Sequence, residues 1–256
     1  YAMKNTKFYL QAAMLLLPAF LSAQNVIPEP TQYRPAKGQF VLTAAETKAF
    51  EAQDVLPGRV VQCVISGSTP MDADEAYHLK ITPDSVFIQS ATATGAFRGK
   101  ETLKQLLRSG KGTAKACVIN DAPRYAWRGF MLDESRHFFG KKKVKQLLDI
   151  MASLRLNVFH WHLTDEPGWR IEIKKYPLLT QIGAKGNWHD PDAPATFYTQ
   201  DDIKEIVAYA AARHIMVVPE FDMPGHATAA CRAYPELSGG GEGRWKDFTF
   251  HPVSYT

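Results

Sequence analysis

Three clusters of ionisable side chains are spaced along the second half of the 256-residue sequence. The first contains Asp133, Arg136 and His137, the second spans residues 160–170, and the third spans residues 220–226. Carboxylates, imidazoles and guanidinium groups transfer protons, bind hydroxyl groups or anions, and hold metal ions. We expect the three clusters to form one polar pocket, because each contains the same few types of side chain.

Arg136 is the cation of the first cluster. Its planar guanidinium presents paired donors that suit the neighbouring hydroxyls of a sugar, or a carboxylate. The alternative is an internal salt bridge with Asp133 or Glu134, which would give Arg136 a structural role. The residues by themselves leave both possibilities open.

The second cluster begins with His160-Trp161-His162. Side chains alternate along a strand, so we expect the two imidazoles on one face. They could bind a metal ion, as in metal-dependent barrel hydrolases, or they could hold neighbouring carboxylates by hydrogen bonds. The spacing does not decide between these roles.

The second cluster continues with Asp165-Glu166 and Trp169. Paired carboxylates beside an indole suit a sugar, whose apolar face stacks on the ring while its hydroxyls bond to the acids. The alternative is an exposed loop that happens to carry two acids. In the third cluster, His226 is either a donor to a substrate or a histidine of the core.

Each cluster follows a short apolar segment, and residues 128–132, 157–162 and 215–221 are predicted strands. Between them, apolar residues at helical spacing predict one helix over 144–154 and another over 201–213, capped by its first residue, an aspartate. Strand, polar cluster and helix repeat, as in βα units whose chemistry lies at the carboxyl ends of the strands. We therefore predict an α/β fold, with the first three or so βα units of a TIM (β/α)8 barrel in the second half of the chain.

Residues 26–122 have a different pattern, and we predict a small α+β domain there, followed by the barrel domain over the remainder, 123–256. Residues 77–81 and 85–89 are predicted strands joined by a hairpin turn. Helical spacing of apolar residues over 95–107 predicts a helix that ends by Gly110.

The first 23 residues resemble a secretory signal peptide, with two lysines, an apolar run too short for a membrane span, and small residues at its end. We expect export to the periplasm or the medium and no membrane span after signal removal, although a buried N-terminal helix is the alternative. The net charge of +4 is mild, so nucleic acid is not an expected partner. Three widely spaced cysteines indicate neither a zinc site nor a disulfide framework.

Three segments together closely resemble the β-N-acetylhexosaminidases of glycoside hydrolase family 20. They are RGFMLDESRHFF at 128–139, LNVFHWHLTDE at 156–166 and PEFDMPGH at 219–226. Residues 95–107 also resemble the end of that family's small N-terminal domain. The resemblance covers nearly all of the sequence after the signal and implies a TIM-barrel glycosidase.

The resemblance implies removal of terminal N-acetylglucosamine or N-acetylgalactosamine from glycans by a substrate-assisted retaining mechanism, in which the substrate's acetamido oxygen attacks the anomeric carbon. It assigns Arg136 to the hydroxyls of the terminal sugar, and Asp165 and His226 to the pocket. His162 and Glu220 would lie behind these residues and support them. The family uses no metal or other cofactor, which favours a hydrogen-bonding role for the two histidines of the second cluster.

The family's catalytic Asp-Glu pair follows its fourth barrel strand, usually after His-Ile-Gly-Gly. This sequence contains no His-x-Gly-Gly-Asp-Glu, and Asp165-Glu166 matches the second-strand motif instead. We therefore expect the catalytic pair to lie beyond Thr256, the last residue of the sequence, and assign no catalytic residue within it.

Two expectations follow from the missing pair. The 256 residues alone should be inactive and poorly soluble, because three or four βα units cannot close a barrel. The alternative functions are a metal-dependent barrel hydrolase that uses His160 and His162, and a non-catalytic sugar-binding protein.

Overall fold

The computed structural model describes residues 26–65, 74–186, 190 and 192–238. The predicted signal peptide and Thr256 lie outside the described residues. Within them, the strands form two sheets, one before residue 122 and one after it. No helix in the described part of the chain is both long enough and apolar enough to cross a membrane.

The first sheet has five strands in the order β1-β5-β3-β4-β2, and only β2 and β4 pair in parallel. The predicted hairpin is confirmed: β3 and β4 pair antiparallel, and the Thr82 amide donates to the Ser85 carbonyl at 2.9 Å. The strands are β1 (Gln32–Val41), β2 (Val60–Val64), β3 (Tyr77–Ile81), β4 (Val86–Ser90) and β5 (Thr113–Asp121).

Two helices belong to this half, α1 (Ala44–Gln53) and α2 (Ala93–Ser109). Helix α2 begins at Thr92, whose side chain accepts from the Gly95 amide, and it ends at Gly110 as predicted. Its leucines pack with the apolar face of the sheet to form the core of this half. Burial of that face is the main force that holds helix and sheet together.

The second sheet has three parallel strands in the order β6-β7-β8 among the described residues. These are β6 (Gly129–Asp133), β7 (Val158–Thr164) and β8 (Met216–Phe221), which confirms the three predicted strands with small shifts at their ends. The helices of this half are α3 (Lys141–Ser153), α4 (Leu178–Gln181), α5 (Gln200–Ala211) and α6 (Thr228–Ala233).

The predicted cap of α5 is wrong by two residues. Thr199 caps the helix, because its hydroxyl accepts from the Asp202 amide while the Asp202 carboxylate accepts from the Thr199 amide. Asp201, the predicted cap, lies in the first turn and pairs only with Lys204 among its recorded contacts. The sequence does not separate the two positions, because threonine and aspartate are both preferred at the start of a helix.

Strand β7 divides its side chains between two environments. Phe159, Trp161 and Leu163 pack with apolar residues of α3 and α5 in the core of this half. The alternating residues His160 and His162 consequently face the other side of the sheet, as the period of two predicts.

The two halves are joined by a buried ion network. Arg98 of α2 is 2% exposed and pairs with Glu75 at 2.7 Å, and Glu75 also pairs with Arg128, just before β6, at 2.6 Å. The Arg98 guanidinium further donates to the carbonyl of His214, before β8, at 2.9 Å. A partly buried carboxylate between two guanidinium groups has its hydrogen bonds satisfied and links the first sheet to the second.

Candidate active site at the carboxyl ends of three strands

The three sequence clusters meet at one edge of the second sheet. The strand register places Asp133 beside His162, and His162 beside Glu220, at the carboxyl ends of β6, β7 and β8. Parallel barrel strands place their chemistry at this edge. The predicted shared pocket is therefore assembled by strand pairing.

Asp165 lies at the centre of this edge and is 2% exposed. One oxygen, Oδ2, accepts from Arg136 Nη2 at 2.5 Å and from His162 Nε2 at 2.9 Å. The other, Oδ1, accepts from the Glu166 amide at 2.6 Å and lies 3.2 Å from His226 Nδ1. A buried carboxylate with this many donors stays ionised.

A tight turn after β7 delivers Asp165 to this position. The Asp165 amide donates to the Gly168 carbonyl at 3.2 Å, and Thr164 pairs with Trp169 in an antiparallel bridge. The chain therefore folds straight back on itself after the strand. Asp165 is held by backbone hydrogen bonds as well as by its side-chain partners.

Arg136 makes the internal salt bridge that the sequence left open as one of its two possible roles. Its Nη1 pairs with Asp133 Oδ2 at 2.5 Å, and its amide donates to Asp133 Oδ1 at 3.0 Å, so the internal salt bridge exists. The same guanidinium also contacts Asp165, and its side chain remains 41% exposed. A sugar-binding role for Arg136 stays a prediction.

The two histidines of β7 share one partner. His160 Nε2 lies 2.5 Å and His162 Nδ1 lies 3.0 Å from the same oxygen of Glu220. The His162 ring therefore bridges two carboxylates, Glu220 on one side and Asp165 on the other. This is the hydrogen-bonding arrangement, one of the two possibilities that the spacing left open.

A metal ion does not fit this arrangement well. His162, Asp165 and Asp222 each have one potential ligand atom within 4.8 Å of the others. However, both ring nitrogens of His162 already contact carboxylates, and Arg136 already forms an ion pair with Asp165. A cation would have to displace these partners.

Hydrogen bonding fixes the charges of the cluster. The hydrogen bond to Asp165 raises the pKa of His162 to about 9, against the opposing effect of burial. Burial alone would raise the pKa of Asp165, but the bonds from His162 and the Glu166 amide and the charge of Arg136 lower it below its usual value. At neutral pH, the His162 imidazolium therefore lies against an ionised Asp165.

Two further acids complete the edge. Glu220 has a lowered pKa because hydrogen bonds, led by that from His162, outweigh burial. Partial burial and the adjacent Glu220 carboxylate raise the pKa of Asp222. The Asp222 amide donates to Thr164 Oγ1 at 2.9 Å, which ties the loop after β8 to the end of β7.

The exposure of Trp169 and of His226 decides between the roles that the sequence left open for each. The indole of Trp169 is 7% exposed, packs with Leu179 and Ala229, and donates from Nε1 to the Ile171 carbonyl at 2.7 Å. The expectation that Trp169 offers a stacking surface to a sugar is therefore wrong, because the ring belongs to the core. His226 is 49% exposed, so it is not a core histidine.

Sequence reasoning missed a buried polar layer behind the pocket. Glu134 is completely buried, and it accepts from the Tyr198 hydroxyl at 2.8 Å and from the Phe139 amide at 2.7 Å. Arg170 is also completely buried, between the loops that follow β6 and α4. Nothing in the spacing of these residues distinguishes them from exposed loop charges.

The predicted catalytic Asp-Glu pair is a separate question from the residues described so far. The expectation that the catalytic Asp-Glu pair lies beyond Thr256 stays a prediction, because the structure describes the chain only as far as Ser238. Asp165 already accepts from Arg136 and His162, which suits a positioning carboxylate rather than a proton donor. That Asp165-Glu166 is not the catalytic pair likewise stays a prediction.

Parallel strands with helices packed on one face, and carboxylates, imidazoles and a guanidinium at their carboxyl ends, are the first βα units of a domain of the TIM-barrel class. The model of the glycosyl hydrolase family 20 catalytic domain matches residues 125–254, and the model of domain 2 of the same family matches residues 51–122. The chain belongs to glycosyl hydrolase family 20.

Relatives and solved structures agree with this assignment. The chain is 34% identical to a beta-hexosaminidase of Porphyromonas gingivalis, over 89% of this chain and 34% of that protein. It is 37% identical to a beta-hexosaminidase of Vibrio furnissii, over 83% of this chain and 39% of that protein. The N-acetyl-beta-hexosaminidase of Streptomyces plicatus, solved with Thio-NAglucal, superposes with a TM-score of 0.74 at 35% identity, over 84% of this chain and 48% of that one. The chain thus spans between a third and a half of the length of these proteins.

Proposed function

We propose that the protein acts as a β-N-acetylhexosaminidase that releases terminal N-acetylglucosamine or N-acetylgalactosamine from glycans with retention of configuration. The observation that carries the proposal is the ionised, buried Asp165, bonded to Arg136 and His162 and adjacent to His226, in a chain of family 20. The named hexosaminidase relatives support the same activity.

The geometry suits recognition of a terminal sugar. Asp165 is ionised and can only accept hydrogen bonds, so a sugar hydroxyl or amide that donates to it takes the place of one of its present contacts. Arg136 is 41% exposed and carries only donors, and its Nη1 and Nη2 also hold Asp133 and Asp165. Donor and acceptor side by side match a pair of neighbouring sugar hydroxyls.

The chain's own residues then prepare the site for a substrate-assisted reaction. The acetamido oxygen of the substrate attacks the anomeric carbon, so Asp165 is not needed as a nucleophile. His162 holds Asp165 ionised, and Glu220 holds His162 from the opposite side. His226, partly exposed beside Asp165, can support the acid that protonates the leaving oxygen.

The direct test is turnover of 4-nitrophenyl N-acetyl-β-glucosaminide and of the galactosaminide by protein expressed from its complete reading frame. Release of nitrophenol with N-acetylhexosamine of retained configuration, followed by NMR, is the expected result. Folded protein that turns over neither substrate would overturn the proposal. The ratio of the two kcat/KM values would also establish the sugar preference.

We further propose that the protein is exported, with cleavage after Ala23, and that its partners are glycans that end in N-acetylhexosamine. The amino-terminal apolar run supports export. Mass spectrometry of the protein recovered from the periplasm or medium should give an amino terminus at Gln24. Intact protein in the cytoplasm alone would contradict export without affecting the proposed activity.

A further inference from the structure

Arg170 is a fully buried cation that the proposed reaction does not use. It is 0% exposed, and burial lowers its pKa to about 10. A buried charge is costly unless its donors are satisfied. The partners of Arg170 therefore show what the chain gains from it.

The partners of Arg170 are backbone carbonyls and one threonine hydroxyl, and they come from two separate loops. Nη2 and Nε donate to the Ser135 carbonyl at 2.9 and 3.3 Å. Nη1 donates to the Ala184 carbonyl at 2.8 Å and to the carbonyl and hydroxyl of Thr196 at 3.2 and 3.1 Å. One guanidinium thus joins the loop after β6 to the segment between α4 and α5.

The first of these loops carries Arg136, the neighbour of Ser135 in the chain. A second bond crosses the same joint, since Ser135 Oγ donates to the Gly168 carbonyl at 2.6 Å. Gly168 in turn accepts from the Asp165 amide. The loop of Arg136 and the turn of Asp165 are therefore connected through Ser135, Gly168 and Arg170.

Glu134 is the acidic group of this joint: burial raises its pKa, while hydrogen bonds and the nearby charge of Arg170 act in the opposite direction. Glu134 accepts from the Phe139 amide and from the Tyr198 hydroxyl, and the Tyr198 amide donates to the Arg170 carbonyl at 2.8 Å. Buried hydrogen bonds therefore hold Glu134 and Ser135, before Arg136 in the chain, and Phe139, after it. Arg136 itself is the half-exposed member.

We propose that Arg170 is a positioning residue for sugar binding, because it fixes the loop of Arg136 relative to Asp165. This inference rests on the proposed function, in which Arg136 and Asp165 bind the terminal sugar together. The guanidinium of Arg170 does not contact that sugar. It acts by holding the 2.5 Å contact between Arg136 Nη2 and Asp165 Oδ2.

Arg232 of α6 provides a matched control. It is an arginine that also donates to backbone carbonyls of the segment after α4, those of Ile182, Gly183 and Lys185, at 3.4, 3.3 and 3.2 Å. None of these recorded bonds reaches the loop after β6. Arg170→Lys and Arg232→Lys therefore make the same chemical change on the same segment, and Arg170→Lys also alters the bonds to the Ser135 carbonyl in the loop of Arg136.

The experiment measures kcat and KM for the aryl N-acetylglucosaminide with protein expressed from its complete reading frame. Arg170→Lys should raise KM about tenfold or more and change kcat less, because a misplaced binding group weakens ground-state binding. Arg232→Lys should leave both constants within about twofold. Thermal unfolding of each variant establishes that it is folded.

A double variant separates positioning from general damage. In an Arg136→Lys background the guanidinium that Arg170 positions is already absent. Adding Arg170→Lys should therefore raise KM less than about twofold further. If Arg170→Lys does not fold, Ser135→Ala removes one bond of the same joint and should show a smaller KM effect with the same dependence on Arg136.

The outcomes are distinguishable. Wild-type protein without turnover overturns the proposed function and, with it, the inference. Wild-type turnover with equal effects of Arg170→Lys and Arg232→Lys overturns the inference alone. The inference is also overturned if Arg170→Lys raises KM by the same factor in the wild-type and Arg136→Lys backgrounds. The same holds for Ser135→Ala where it replaces Arg170→Lys.

Discussion

His162 Nε2 lies 2.9 Å from Asp165 Oδ2, and both side chains are almost completely buried. The pair is an imidazolium against a carboxylate at neutral pH, because each partner favours the charged form of the other. Glu220 contacts the opposite ring nitrogen at 3.0 Å. The protonation of one histidine therefore fixes the charge and the orientation of the carboxylate at the centre of the site.

We predict that this histidine makes stability depend on pH. The pKa of His162 is about 9 in the folded protein against an ordinary value of 6.5. Its stabilising contribution is thus fully present below pH 6.5 and is lost as the pH rises through about 9, with a size on the order of 3 kcal/mol.

The measurement is the urea midpoint at pH 6.5 and at pH 9.5 for the wild type and for His162→Gln. The decrease between the two pH values should be smaller in the variant. His78→Gln, on the first sheet, is the control and should keep the wild-type decrease. Equal decreases in all three proteins would contradict the assignment of this effect to His162.

A second prediction concerns the charge of Asp165. Asp165→Asn keeps the shape of the side chain but removes the charge that His162 and Arg136 require, so kcat/KM should fall about a hundredfold. Asp201→Asn changes an exposed aspartate of α5 and should have no effect. A kcat/KM for Asp165→Asn within about threefold of the wild type would show that the ionised carboxylate is not used.

A third prediction tests the space beside Arg170. A methyl group at Gly168 would lie 2.3 Å from the Arg170 Cζ atom, so Gly168→Ala should destabilise the protein by about 1–3 kcal/mol. Gly58→Ala is the control, since no atom lies within 4 Å of its added methyl group. Chemical denaturation measures both, and equal stability of the two variants would mean that the guanidinium moves aside without cost.

The arrangement of strands and of the central site was predictable because it depends on simple periodic signals. Apolar runs that end in polar residues indicate β6, β7 and β8, and the period of two places His160 and His162 on one face. Parallel pairing then brings three distant clusters to one edge, where Asp165 contacts Arg136 and His162.

The buried layer was not predictable, for a physical reason. Arg170 bonds to backbone carbonyls, which every residue type carries, so its partners leave no trace in the sequence. Trp169, in contrast, was predicted to lie in the site but is part of the core. An indole beside two acids has the same sequence pattern whether it is exposed or packed, and only the tertiary fold turns its N–H toward the Ile171 carbonyl.

A fourth prediction concerns metal ions. Since both ring nitrogens of His162 contact carboxylates and Arg136 occupies Asp165, we expect turnover to be unchanged after dialysis against EDTA. Elemental analysis should find less than one equivalent of zinc per chain. Loss of activity that added zinc restores would instead favour a metal-dependent hydrolase that uses His160 and His162.

The last prediction tests the start of α5, which lies beside the segment held by Arg170. Thr199→Ala removes the hydroxyl that accepts from the Asp202 amide at 3.1 Å, so it should cost about 1 kcal/mol of unfolding free energy. Asp201→Ala should cost much less, because its recorded partner is the exposed Lys204. Denaturant unfolding of the two variants compares them directly. A larger loss for Asp201→Ala would mean that the aspartate caps the helix after all, since only the capping residue satisfies an amide of the first turn.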